Sequence, residues 1–459
     1  MKLSFLIQRF IAFLLLLAAL NGGLSFADST SPWKVVCREN IAPVWSGNPV
    51  GFEFVQQDGQ LFIGFYCAED KSMVLGQKKS ADAPWTFKKL DTKIGWDSHN
   101  YIRMAFDKEK ILHVSGNMHG VNLIYFRAEK PLDIDSVQPI HRMTAADTSK
   151  ESLQSARESR VTYPQFLNSV DGNLVFTYRD GGSGNGSQIW NVYDTSTKTW
   201  KRFLDKPMFD GLGLSNAYFL GPQKGPDGWF HVAWVWRDTP DCATNHDLSY
   251  MRSKDLIHWE NSRGEALTLP VTEKTGEIVA PLKNGEGLLN PLVRIGFDAD
   301  KRVVLTYTRY DENKNNQIMH ARLEDGAWKY YQTTDWTHSW VFSGGGCIPT
   351  ELSFSEIKCE RGKIYQFWNR KYEKSGEFEL DSQTLKPIGP GPKRSPLPPE
   401  CLKRENLQEN QSCKRASITD QSNPNRMYLF VWETLPVNRD RPHPVEPVPS
   451  QLRMFVLER

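Results

Sequence analysis

The run Gly95-Trp96-Asp97-Ser98-His99-Asn100-Tyr101, followed by His113-Val114-Ser115-Gly116-Asn117-Met118-His119, gathers the densest set of proton-moving groups in this sequence. A second cluster is Tyr163-Pro164-Gln165-Phe166, then Tyr178-Arg179-Asp180 leading into Gly181-Gly182-Ser183-Gly184-Asn185-Gly186. His99, His119, Tyr163 and Arg179, without an obvious carboxylate pair, suit a β-elimination beside a carboxylate. The C5 proton of a uronic acid is poorly acidic until that carboxylate is neutralised, and the planar fork of Arg matches it. A neutral His or an ionised Tyr can then take the proton, and a His or Tyr can protonate the departing C4 oxygen. Hydrolysis of a glycoside would call for two positioned carboxyl groups instead.

Each of these residues has a structural alternative. Arg179 could form a salt bridge between repeats, and Tyr163 could pack with its hydroxyl satisfied. His113 lies within an apolar strand pattern and is read as structural. The glycine run lets a bulky ligand approach the backbone. Neither a following Lys-Ser/Thr nor a helix supports phosphate binding there. Cys242 and His246 could hold a structural zinc or calcium, with Cys347 or Cys359 completing the shell; a buried thiol or a disulfide is the alternative. The elimination itself requires no cofactor. Ser253-Lys254-Asp255 to Trp259 resembles a sialidase Asp-box turn but is one residue short.

The elements that must carry these residues repeat seven times as an apolar, alternating strand, a polar turn and a second strand. The first strands start at Leu61, Ile111, Leu174, Trp229, Val303, Ile364 and Tyr428. Second strands start at Leu123, Ile189, Leu248, Ile318 and Leu452, and Trp200, Trp259 and Trp328 close three units. The units recur every 50 to 75 residues or so, longer than the ~40 to 50 of common propeller repeats, which predicts long loops. Strand hairpins cannot bury two faces alone, and radial stacking supplies the missing face. The reading is all-β, a seven-bladed β-propeller, with a β-sandwich pair or β-helix as the alternative. Residues 33–36 would complete the last blade, and the proline-rich stretch 387–399 is read as an inter-blade loop.

By length alone the chain would divide into roughly three domains, but a propeller uses it as one. The expected division is a signal peptide over residues 1–27 and a single domain over 28–459. Lys2 and Arg9, the apolar run 10–20 and Ser25-Phe26-Ala27 follow the order of a secretory signal, so a secreted or periplasmic protein cleaved near Ala27 is expected. The apolar run is about half the roughly 20 residues needed to span a bilayer. A net charge of +2 with no long basic run argues against nucleic acid. The 15 Trp, 15 Tyr and 24 Phe serve strand packing and sugar stacking equally well. Seven scattered cysteines do not build a scaffold; Cys401 and Cys413 are the expected local bridge.

The stretch GWDSHNYIRMAFDKEKILHVSGNMHGVNLIYFR, with VTYPQF, FTYRDGGSGNG and WVWRDTPDCATNHDLSYMRSKDLIHW, resembles the BNR-repeat-containing family that includes the propeller-type ulvan lyases. The likeness is strongest over residues 96–259. It implies a polysaccharide lyase that cleaves rhamnose-uronate linkages of an acidic, sulfated polysaccharide. It also implies catalytic roles for His99, His119, Tyr163 and Arg179. Tyr178, Tyr218 and Arg237 would hold sugar or sulfate, and Asn100 and Asn117 would orient the histidines or bind hydroxyls. The same propeller group contains rhamnosidases, whose histidine near the first blade has no counterpart here, Asn48 standing in that region. A rhamnosidase-type hydrolase of the same propeller family or a non-catalytic glycan-binding propeller is the alternative, and the protein is expected to be a monomer.

Overall fold

The computed structural model describes residues 31–141, 143, 158–392, 397–406 and 408–459. The expected signal segment, residues 1–27, lies outside them. Among the described residues the chain is all-β, arranged as seven antiparallel sheets of four or five strands, and no helix is long and apolar enough to cross a membrane.

The seven strand starts read from the sequence fall on, or for Ile111 and Trp229 one residue before, an inner strand of a sheet: Gln60–Tyr66, Leu112–Gly116, Leu174–Gly182, Phe230–Arg237, Val303–Tyr310, Lys363–Arg370 and Arg426–Thr434. Six of these strands are buried along most of their length, so alternation weakens within them; Lys363–Arg370 is buried at only three of its eight positions. The cause is that neighbouring sheets cover both faces. Phe62 meets Phe106 of the second sheet at 4.8 Å between ring centroids, and Phe54 stacks on Phe430 of the seventh at 4.1 Å. Gly64 and Gly296 allow close approach between sheets: an added Cβ would lie 2.9 Å from Ile102 and 2.7 Å from Ile357.

Two buried histidines mark equivalent points of different sheets. His113 pairs its Nδ1 with the Tyr125 hydroxyl at 2.7 Å and its Nε2 with Asp107 at 3.2 Å. His231 repeats the arrangement with Tyr250 at 2.7 Å and Asp227 at 3.1 Å. Burial lowers the pKa of both imidazoles. His113 is thus a structural strap, tying a turn aspartate to the neighbouring strand. The Asp-box-like segment is also a turn: Ser253 Oγ accepts from the Leu256 amide at 2.8 Å and Asp255 from the Ile257 and His258 amides, each at 2.8 Å.

The seventh sheet joins the two ends of the described chain. Lys34–Val44 pairs antiparallel with Ser450–Glu458, Lys34 opposite Glu458, as expected for residues 33–36 but continuing to Val44. Arg453, fully buried, pairs with Glu433 across this sheet and with Glu405 at 3.2 Å. Two expectations need correction. Within the proline-rich stretch, Pro387–Pro390 is a strand, paired with Ser375–Leu380 at the sheet edge, where a missing N–H costs no ladder bond. All seven cysteines are free thiols. Cys401 and Cys413 meet the same apolar cluster, but the Cys413 thiol is directed at Glu433, 3.8 Å away.

Candidate active site

The site is assembled where the loops and strand ends of several sheets converge. Asp97 organises its first half. Its Oδ1 accepts from the His99 amide at 2.8 Å and from His99 Nδ1 at 2.7 Å, and its Oδ2 accepts from His119 Nδ1 at 2.5 Å. The two rings lie 4.2 Å apart. His119 begins the short strand His119–Val121, which pairs with Val161–Asn168 of the third sheet. That pairing carries it toward Tyr163.

Tyr163 sits on a bulge. The register jumps from Thr162 opposite Arg179 to Gln165 opposite Thr177, and Tyr163 has φ +59°. A non-glycine residue held in the left-handed region is characteristic of bulges that re-aim a side chain. Pro164 follows it, a residue compatible with a break in the ladder. Tyr163 lies 5.7 Å from the His99 ring and 6.1 Å from the Tyr218 ring.

Arg179 is 3% exposed and lies over both phenol rings, 4.8 Å from Tyr163 and 5.9 Å from Tyr218. It donates to the Tyr218 hydroxyl at 3.3 Å and to Thr162 Oγ1 at 3.2 Å, while its Nε is buried without a partner. Arg237, 8% exposed, lies 4.2 Å over Tyr218 and donates to Asn245 and Asn290 at 2.7 and 2.6 Å. Among the described residues neither guanidinium has a carboxylate partner. Gly186 makes room for this arrangement, because an added Cβ would lie 2.9 Å from the Arg179 stem and 2.5 Å from Asn216 Oδ1. Gly186→Ala is therefore expected to displace Arg179 and lower kcat about tenfold or more, in line with the sensitivity of catalysis to small misplacements. Kinetics alongside a thermal melt will separate this from a loss of folded protein.

A cavity of about 450 Å³ has His99, Tyr101, Tyr163, Arg179, Tyr218, Arg237 and Cys347 on its wall, whereas Asp97 and His119 do not line it. No Asp or Glu is among its lining residues. Burial opposes charge on His99, but hydrogen bonds to Asp440, Asp97 and Cys347 outweigh it and hold its pKa well above the ordinary value. Asp97 moves the opposite way: burial would raise its pKa, yet both histidines lower it strongly. Burial, reinforced by Tyr218, raises the pKa of Tyr163. Tyr218 is lowered because Arg237, Arg179 and the Ser183 hydroxyl, 2.6 Å away, outweigh its burial.

Three other expected site residues, Tyr178, Asn117 and Asn100, do not line the cavity. Tyr178 is buried in the apolar cluster of Met118, Phe176 and Trp200, because strand alternation sends it to the face opposite Arg179. Asn117 is turned toward Thr92 and Lys93, donating at 2.7 and 2.9 Å. Asn100 does not line the cavity; its carbonyl accepts from Tyr66 at 2.6 Å.

Cys242 and His246 are not brought together as ligands. Cys242 packs with Leu289 and Tyr310, whereas His246 contacts Asp238 at 2.9 Å and Asp247 at 3.1 Å. The group able to hold a divalent ion there is Asp238, His246 and Glu273. Cys359 is exposed on the strand Lys358–Glu360, and Cys347 lies beside His99. Asp97, Asp440 and Asn290 are site residues to which the sequence reading gave no role, and Cys347 entered it only as a metal ligand. Asp97 alone had a local signal, its place within the histidine motif.

Residues 60–336, more than half of the chain, match the BNR repeat-containing family. The chain belongs to this family. Among curated relatives, the short isoform of an ulvan lyase from Alteromonas sp. (strain LOR) is 28% identical over 244 residues, 48% of this chain and 45% of the relative. The chain thus spans less than half the length of the curated relatives it matches. Among solved structures, polysaccharide lyase Uly1 aligns over 93% of this BNR-repeat protein and 99% of its own chain, with a TM-score of 0.58 and 14% identity. A PL25 ulvan lyase bound to GlcA(1-4)Rha3S aligns over 91% of this chain and 95% of its own, with a TM-score of 0.53 and 13% identity. At these identities the structural likeness is one of fold.

Proposed function

We propose that this BNR-repeat protein is a polysaccharide lyase that cleaves an ulvan-like glycan at rhamnose-uronate linkages by β-elimination, on a seven-bladed propeller formed by residues 28–459. The observation that carries this reading is the pair of buried guanidiniums, Arg179 and Arg237, facing one cavity without a carboxylate partner among the described residues. Burying an unpaired charge costs several kcal/mol or so, and an anionic ligand offsets that cost. A uronate carboxylate matches the fork of Arg179, and Arg237 is placed to bind a second anionic or hydroxyl group. The ulvan lyase relatives support the same substrate class.

In this reading Arg179 neutralises the carboxylate, acidifying the proton on C5. Tyr218, which faces both guanidiniums and accepts a hydrogen bond from Arg179, takes that proton; the C–H electron pair becomes the C4–C5 double bond as the C4–O bond breaks. His99, held as an imidazolium, returns a proton to the departing oxygen. Tyr163 stays a neutral phenol and hydrogen-bonds the sugar between them, while His119 holds Asp97 in place beside His99. No metal enters the sequence of steps. Hydrolysis fits less well because the cavity wall carries no carboxyl group where two are needed. Secretion accords with a polymeric substrate outside the cell.

Incubation with ulvan tests the reading. New near-ultraviolet absorbance from an unsaturated uronate is the expected result. Reducing ends without that absorbance would indicate hydrolysis, and retention without cleavage a binding protein.

A further inference from the structure

Asp440 reaches His99 from the far end of the chain. It lies in the loop preceding the strand Ser450–Glu458 and joins two other loops. Its Oδ1 accepts from the Ser98 amide at 3.1 Å, and its Oδ2 accepts from the Cys347 amide at 2.8 Å and lies 3.3 Å from His99 Nδ1. The loop is built for this contact. Arg439 and Asp440 are consecutive non-glycine residues at φ +51° and +59°. The Arg439 amide donates to the Cys347 carbonyl at 3.2 Å, and its guanidinium donates to Ser343 O at 3.2 Å. Gly346, at φ +72°, is required opposite them, since a Cβ there would stand 2.7 Å from Arg439 O. Strain of this kind persists where surrounding contacts over-determine it, and it gathers at functional sites.

We propose that Asp440 is a positioning residue for His99, closing three loops around the ring and acting with Asp97 to present the imidazole as a charged proton donor. The inference rests on the elimination reading for the use of that proton, but not for the clamp. Both carboxylates address Nδ1, which leaves Nε2 clear of them, 3.7 Å from Cys347 Sγ. The groups facing His99 are Asp97 on its own loop, Tyr101, His119 and Tyr163 from the third sheet, Cys347 and Asp440. Two anions among them favour the charged ring, and its raised pKa accords with that balance.

The test is nitrogen NMR of the full chain labelled at histidine, with the His99 signal assigned by a His99→Gln variant. In the parent protein the His99 ring should remain an imidazolium well above the ordinary pKa of about 6.5. In Asp440→Asn it should lose its proton about 1–3 pH units lower. If the parent elaborates unsaturated uronate, the alkaline limb of kcat should move down with it, since a required acid is lost as pH rises through its pKa. Asp440→Glu should restore part of both shifts. A parent His99 titrating near its ordinary value overturns the proposal whether or not any lyase activity is seen, or the Asn variant folds. So does an Asn variant that loses activity while the His99 titration stays in place, since that marks a merely structural residue.

Discussion

Arg179→Ala should reduce formation of unsaturated uronate from ulvan by about 100- to 1,000-fold, the loss typical of removing a preorganised group that stabilises developing charge. The carboxylate becomes more electron-rich as C5 loses its proton, so the guanidinium binds the transition state better than the ground state. The fall should therefore appear in kcat more than in KM. Arg179→Lys keeps the charge but lacks the two-pronged geometry, and should fall between the parent and the Ala variant. The fold should survive both changes. Arg179 contributes two hydrogen bonds, to Tyr218 and Thr162, each worth roughly 1 kcal/mol net, and removal of an unpaired buried charge offsets part of that. A circular-dichroism melt within a few degrees of the parent's, alongside the lost absorbance, is the expected pair of results. Full activity in the Ala variant would sink the mechanism.

Tyr218→Phe should lower kcat by about 10²–10⁴-fold, the usual contribution of a positioned general base. It should also alter the pH profile in a way that Tyr163→Phe does not. A base must be deprotonated to act, so activity rises with pH through its pKa, and for Tyr218 that rise lies below the ordinary phenol value. Removing the hydroxyl abolishes the rising limb. Tyr163 is pushed in the other direction by burial and stays a neutral phenol across the working range, so its Phe variant should lose rate while keeping the limb. Parallel kcat profiles of the two variants check the assignment. If Tyr218→Phe retained the parental limb, the base would lie elsewhere, with His119 the nearest alternative.

Much of this protein was legible before any coordinates. The seven apolar starts each fall on, or one residue before, an inner strand of a different sheet, because burial leaves a strong local mark in residue type. His99, His119, Tyr163 and Arg179 were legible as a cluster for a different reason: they lie near strand ends in motifs dense with polar groups. Tyr178 misled because a one-residue step along a strand reverses the direction of a side chain, and proximity to Arg179 in sequence says nothing about shared direction. Cys242 and His246 misled in the same manner, their short spacing concealing opposite surroundings.

The roles within the cluster belong to tertiary structure. Tyr163 and Tyr218 are the same chemical group, yet Tyr218 lies under Arg237 and beside Ser183 while Tyr163 is more fully desolvated, and only packing between sheets sets that difference. Asp440 carries no local signal at all, being separated from His99 by most of the chain. By itself the sequence determined the strands, their sevenfold recurrence and which residues could move protons, since these follow from local pattern and functional-group chemistry. The tertiary structure alone decided which groups meet, which carboxylates hold the histidines and which phenol is lowered, because pKa and alignment depend on charges and burial contributed by distant segments.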